Sequence, residues 1–214
     1  MRTSRLWLTC LLLLAVVLVA LWRFRLSHPH PSIQDLSVTS PLNQPGGGAS
    51  PNEAYEVYSA LYQAPADEPL AFAEDSGADI PQLDGNCLKP STPAEREMAA
   101  AFESANRQAH RWEHKFNIPA GYQLLRAPQA LAAQNCMQSH AQNQPQCAPW
   151  RDLKHVRILG IPGFDATHTH ALVSVLKKCG AFCGTGGIFA VEKRNGTWQR
   201  SDPSAFTSEC SWRY

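Results

Sequence analysis

The hydrophobic period of this chain changes once, from 3.6 residues in its middle third to 2 residues beyond His155. Helix followed by strands, without regular alternation between them, argues for an α+β domain in which a helix covers one face of an antiparallel sheet. The helical signal is sharpest over residues 92–118. Thr92 stands where an N-cap belongs, Pro93 takes the first helical position, and Glu95 follows in a near-capping-box place. Met98, Phe102, Ala105, Ala109, Trp112 and Phe116 then recur at alternating steps of four and three. That stripe predicts one long amphipathic helix, stopping before Pro119-Ala120-Gly121. A shorter helix is expected over 53–63, capped by Asn52, with Tyr55, Tyr58, Leu61 and Tyr62 on one side, and an Ala-rich one near 128–135. Strands are expected over 69–74, 155–159, 169–177 and 187–194. Asn195-Gly196 before Thr197-Trp198 is a two-residue hairpin turn, since both turn positions need positive φ. Asn195-Gly196-Thr197 is also a glycosylation sequon, but the turn accounts for the same residues.

Cysteine usage sets the compartment. Cys10 lies inside an apolar run, and the six that remain are Cys87, Cys136, Cys147, Cys179, Cys183 and Cys210, an even number that suits an oxidising environment. Cys179–Cys183 and Cys136–Cys147 each close a short loop of turn formers, which leaves Cys87–Cys210 as a long-range bridge by elimination.

The apolar run itself, residues 6–22, is uncharged and 17 residues long, at the short end of what spans a hydrocarbon core. Arg2 and Arg5 precede it, Arg23 and Arg25 come directly after it, and Leu18-Val19-Ala20 makes a poor cleavage site, so an uncleaved signal anchor is expected after a five-residue tail. The near balance of arginines leaves orientation to the cysteines, which place the bulk of the chain outside the cytoplasm. Residues 23–52 are dominated by Pro, Gly, Ser, Gln and Asn and read as a linker to an extracytoplasmic domain over 53–214. His28 and His30 in that linker are two ligands without a third. A net charge of +1 with 17% charged residues gives no field to attract nucleic acid, so the expected partners are the membrane and an envelope protein or ligand.

Three constellations have residue types suited to chemistry. His110-Arg111-Trp112-Glu113-His114 matches the H-x-x-E-H string in which two histidines one helical turn apart hold zinc and the glutamate is the base, with Glu192 at the downstream distance of a third ligand. On the expected helix, however, His110 and His114 point roughly 120° to 160° away from the apolar stripe, toward solvent. His168-Thr169-His170, with Asp165 nearby, puts two rings on one strand face, which fits a metal or base less well than a polar strand entrance. Cys179 and Cys183 have three residues between them rather than two, which favours a structural bond closing a glycine-rich loop over a redox or metal site. No P-loop, Rossmann string, G-x-S-x-G elbow or paired-cysteine zinc ribbon is present.

One longer pattern runs through the second half: Leu159-Gly160-Ile161-Pro162-Gly163-Phe164-Asp165, residues 169–175, Cys179-Gly180-Ala181-Phe182-Cys183-Gly184, and Phe189-Ala190-Val191-Glu192-Lys193 with Asn195-Gly196-Thr197-Trp198. It resembles a group of uncharacterised bacterial exported or membrane-anchored proteins with a C-G-x-x-C-G hairpin. Tyr55, Tyr58, Phe102, Asn106, Trp112 and Phe116 fit the same group less specifically. This chain departs from it in Ile161-Pro162 and in Cys136, Cys147 and Cys210. The resemblance implies architecture and brings no activity. The expected function is therefore a non-catalytic binding or interaction module of the cell envelope, without cofactor, and the alternative is a zinc-dependent hydrolase using His110, Glu113 and His114. A lumenal transferase of type II layout is disfavoured by the small domain and the lack of a D-x-D motif.

Overall fold

The alternating pattern beyond His155 forms strands, and two of them carry the fold. The structure, a computed structural model, describes residues 50–64, 68–76, 89–138, 143–180, 183–202 and 210–213, all within one compact unit. The expected anchor, nearly all of the linker and Cys87 lie outside the described residues. Among the described residues no helix is long and apolar enough to cross a membrane.

Strands β1 (Ala71–Ala73), β4 (Gln123–Leu125), β5 (Val156–Leu159), β7 (His170–Gly180), β8 (Cys183–Arg194) and β10 (Cys210–Arg213) line up as β10-β8-β7-β5-β1-β4. In the same sheet β6 (Gly163–Phe164) pairs with β7 and β9 (Thr197–Arg200) with β8. A separate two-stranded ladder joins β2 (Asp75–Ser76) to β3 (His110–Arg111). The β8–β9 turn has Asn195 at φ 51° and Gly196 at φ 80°, the two positive values the dipeptide predicts. The fold is α+β, but the sheet is mixed: β1 runs parallel to both β4 and β5. Parallel neighbours need a long crossover, and three-residue strands carry too little pattern for their pairing to be read.

The sheet is covered on both faces. Helix α1 (Pro51–Leu61) brings Tyr55 and Tyr58 onto the face that carries Ala171, Val173 and Leu159. Helix α2 (Pro93–Ala105) lays Met98 and Phe102 over Leu172, Ile188 and Ala190, and helix α3 (Ala127–Cys136) sets Ala130 and Ala133 against Val156, Ile158 and Leu176. The α1 side is aromatic. Tyr55, Tyr58, Phe72, Trp112 and Phe116 meet at centroid distances of 4.9 to 6.5 Å. Each ring so buried contributes about 2 to 3 kcal/mol of gross transfer free energy.

The long helix is not formed as expected. Its start is: Thr92 accepts from the Glu95 amide, and the Glu95 carboxylate accepts from Thr92 in return. Its end comes at Ala105, and His110–Arg111 is already strand β3. Asn106 is the cause. Its side-chain amide donates to Phe102 O and to Ile161 O, while its Oδ1 accepts from the Ile161 amide, so the residue ties the helix terminus to a strand entrance instead of continuing the turn. Trp112 and Phe116 are buried, as their place in the stripe implied, but from an extended segment that packs against α1 on the opposite face of the sheet from α2.

Candidate functional site

A short apolar segment, residues 159–163, is held from four directions before the chain turns at Asp165. Trp112 Nε1 donates to Leu159 O at 3.2 Å, the Tyr58 hydroxyl reaches Gly160 O at 2.6 Å, and Asn106 brackets Ile161 at 2.8 Å in each direction. Gly163 then passes so near α2 that a Cβ there would sit 2.2 Å from the Phe102 backbone nitrogen. Burial raises the Tyr58 hydroxyl well above its ordinary pKa, so it stays a neutral donor. Tyr58, Asn106 and Trp112 thus meet around this segment and fix it in place.

Asp165 organises the turn into β7. Its Oδ1 accepts from the amides of Thr169 and His170, and its Oδ2 from the Thr167 hydroxyl at 3.0 Å and from His170 Nδ1 at 3.0 Å. Burial alone would raise this carboxyl; the hydrogen bonds led by His170 outweigh it and hold the group below the usual carboxylate range. His168 lies at the turn with φ 54°, a left-handed conformation that side chains rarely adopt. It is held there by stacking on Phe164 at 5.3 Å and by a 2.7 Å hydrogen bond from Nδ1 to Glu53 on α1. In that bond the ring nitrogen donates and the Glu53 carboxylate accepts. His168 and His170 therefore each rest on a carboxylate, which orders the turn and makes the polar strand entrance expected for these residues. Glu53 carried no sequence signal for this role, because the pairing spans more than a hundred residues of chain.

Beside this turn, α1 and the β8–β9 hairpin enclose a groove of about 680 Å³. Asn52, Glu56 and Ser59 line it from α1 and Gln63 from just past the helix end, together with Asn117 and Thr197. The Ser59 hydroxyl receives the Asn117 amide and Gln63 donates to Asn117 O, so the floor is pinned. Tyr55 and Trp198 contribute edges only, both rings being buried and each covered by a lysine ammonium. The groove is thus a surface of amides and hydroxyls with one carboxylate, Glu56, and one ammonium, Lys115, which is paired with Glu113.

The H-x-x-E-H residues do not converge. With no helix beneath them the one-turn spacing of the histidines is lost: His110 Nε2 meets Ala105 O at 2.7 Å, Glu113 pairs with Lys115 at 2.6 Å, and His114 stacks on Tyr122 at 5.2 Å. Glu192 lies opposite His170 in the β7–β8 ladder and pairs with Arg194. Among the described residues no three His, Cys, Asp or Glu side chains are grouped to hold a metal.

Two disulfides are formed as expected, Cys136–Cys147 and Cys179–Cys183. Cys210 is also disulfide-bonded; Cys87, its expected partner, lies outside the described residues. A second, part-buried polar cluster, which no local motif announces, joins Glu68 to His155 and Arg157; burial would raise the Glu68 carboxyl, but the hydrogen bonds it accepts from His155 and Arg157 outweigh that and lower it. No protein-family model, curated protein or solved structure matches this chain.

Proposed function

We propose that this chain is a membrane-anchored extracytoplasmic binding module, held by an uncleaved helix over residues 6–22 and engaging a polar segment of another envelope protein in the groove along α1. The groove carries the reading. Asn52, Glu56, Asn117 and Thr197 bring donors and acceptors to one open surface, and side-chain amides match the donor and acceptor pattern of a peptide backbone. Glu56 is the groove's carboxylate and, with the lining Lys115 already paired to Glu113, selects for a basic residue on the ligand. The disulfides support an oxidising compartment, and the apolar run with its Pro/Gly linker supports the tether.

A photo-crosslinking amino acid placed at Thr197 in intact cells tests this, with the exposed Leu131 on α3 as the control position. A discrete adduct from Thr197, absent from Leu131 and suppressed by Glu56→Lys, is expected. Equal labelling from both positions, or an adduct indifferent to Glu56→Lys, overturns the groove. Protease protection of whole cells against opened cells checks the topology separately: cleavage confined to the cytoplasmic side overturns the tether.

A further inference from the structure

The Cys179–Cys183 bond is more than its hairpin requires. Nine consecutive register pairs, from His170↔Glu192 to Lys178↔Gly184, already hold β7 to β8, and the bond lies beyond them, joining Cys179 at the bulge to Cys183 in the last pair, Gly180↔Cys183. Its sequence separation of 4 closes so short a loop that it restricts the unfolded chain least. The other local bond differs in each respect. Cys136 and Cys147 are buried, at 8% and 2% exposure, and they tie α3 to the 3-10 turn Pro145–Trp150, two elements that no strand ladder joins.

Access divides the two bonds in the same way. Cys183 is exposed and Cys179 half-buried, with Lys177 and Lys178 immediately before Cys179. Cations next to a cysteine favour its thiolate, and an exposed disulfide beside them is open to attack by an incoming thiolate.

We propose that Cys179–Cys183 is a thiol–disulfide exchange site that takes two electrons from a dithiol protein in the same compartment, independently of the groove. The partner's thiolate attacks Cys183 Sγ, the exposed sulfur. The Cys179–Cys183 bond breaks, its electron pair leaves on Cys179 Sγ, and a mixed disulfide joins Cys183 to the partner. The partner's second thiol, once deprotonated, attacks its own sulfur in that mixed bond and releases Cys183 as a thiolate. Both protons given up by the partner end on Cys179 and Cys183, and the partner departs as a disulfide.

The test uses the full chain in detergent with reduced thioredoxin as the dithiol probe, quenching by thiol alkylation and assigning each cysteine by peptide mapping. Cys179–Cys183 is expected to open at least about tenfold faster than Cys136–Cys147 while the near-ultraviolet circular dichroism stays native. In the Cys179→Ser variant, oxidised glutathione is expected to form its adduct at Cys183. Equal opening rates, opening only with loss of the native spectrum, or an unreactive Cys183 in that variant would each overturn the proposal.

Discussion

Replacing Gly163 by alanine measures how closely α2 lies on the sheet. The added Cβ would stand 2.2 Å from the Phe102 nitrogen, 2.5 Å from Met98 O and 2.5 Å from the Phe102 Cα. Unbonded carbons rest at about 3.5 to 4.0 Å, so helix and strand must part by about 1 Å or more. All three atoms are backbone, so no side-chain rotation relieves the clash. Parting the layers loosens Met98 and Phe102 from Leu172, Ile188 and Ala190, and a gap of about 1 Å forfeits up to about half of the dispersion attraction across it. Overpacking of this kind costs about 1 to 3 kcal/mol, and stretching the two Asn106–Ile161 hydrogen bonds adds about 1 kcal/mol each. The expected loss is therefore about 3 to 5 kcal/mol, which at a urea slope of about 2 kcal/mol/M lowers the midpoint by about 1.5 to 2.5 M. Gly196→Ala is the matched comparison. Gly196 has a positive φ but nothing within 4 Å of its Cβ position, so only backbone strain of about 1 to 2 kcal/mol opposes the change. Urea melts followed by circular dichroism that place the two variants at the same midpoint would refute the steric argument.

Trp112→Ala is expected to cost about 3 to 5 kcal/mol in the same melts, since the residue is 1% exposed and packed edge-on to Tyr55 and Tyr58; His110→Ala, half-buried and giving up one hydrogen bond, should cost about 1 kcal/mol. Replacing Cys136 and Cys147 together by serine frees an 11-residue separation and should lower stability by about 3 kcal/mol, seen as a fall in the thermal midpoint. The Asp165 carboxyl has a folded pKa below its unfolded value, so its contribution is complete above the unfolded pKa of about 4 and is lost as pH falls through the folded one. Melts between about pH 5 and about pH 2, which bracket the ordinary aspartate range, should show a smaller acid loss in Asp165→Asn; an unchanged pH slope would remove Asp165 as an anchor of the turn.

The contrast between α2 and the segment after it shows what a periodic pattern can carry. Thr92, Pro93 and Glu95 act within four residues of one another, so their roles are set by the chain alone, and the capping box is formed. Trp112 and Phe116 are large and apolar, and that sufficed to place them in the core whatever their backbone did. Their helical spacing was coincidental, because Asn106 found better partners in Ile161, 55 residues away, than in another turn of helix. The same reversal removed the helix that the H-x-x-E-H string requires, leaving His110 on strand β3 and His114 against Tyr122.

By itself the sequence determined the α+β class, the hairpin at Asn195-Gly196, the two short-range disulfides and which residues are apolar enough to be buried. Each of these rests on a local rule: a period, a turn that needs positive φ, or a loop short enough to close without help. Only the tertiary structure decided where α2 ends, that β1 enters the sheet parallel between β4 and β5, and that Glu53 meets His168 while Asn117 meets Ser59 to build the turn and the groove. Those outcomes depend on contacts between residues dozens of positions apart. The free energies of such contacts outweigh local propensities of roughly 0.5 kcal/mol per residue, and they leave no period in the chain to read.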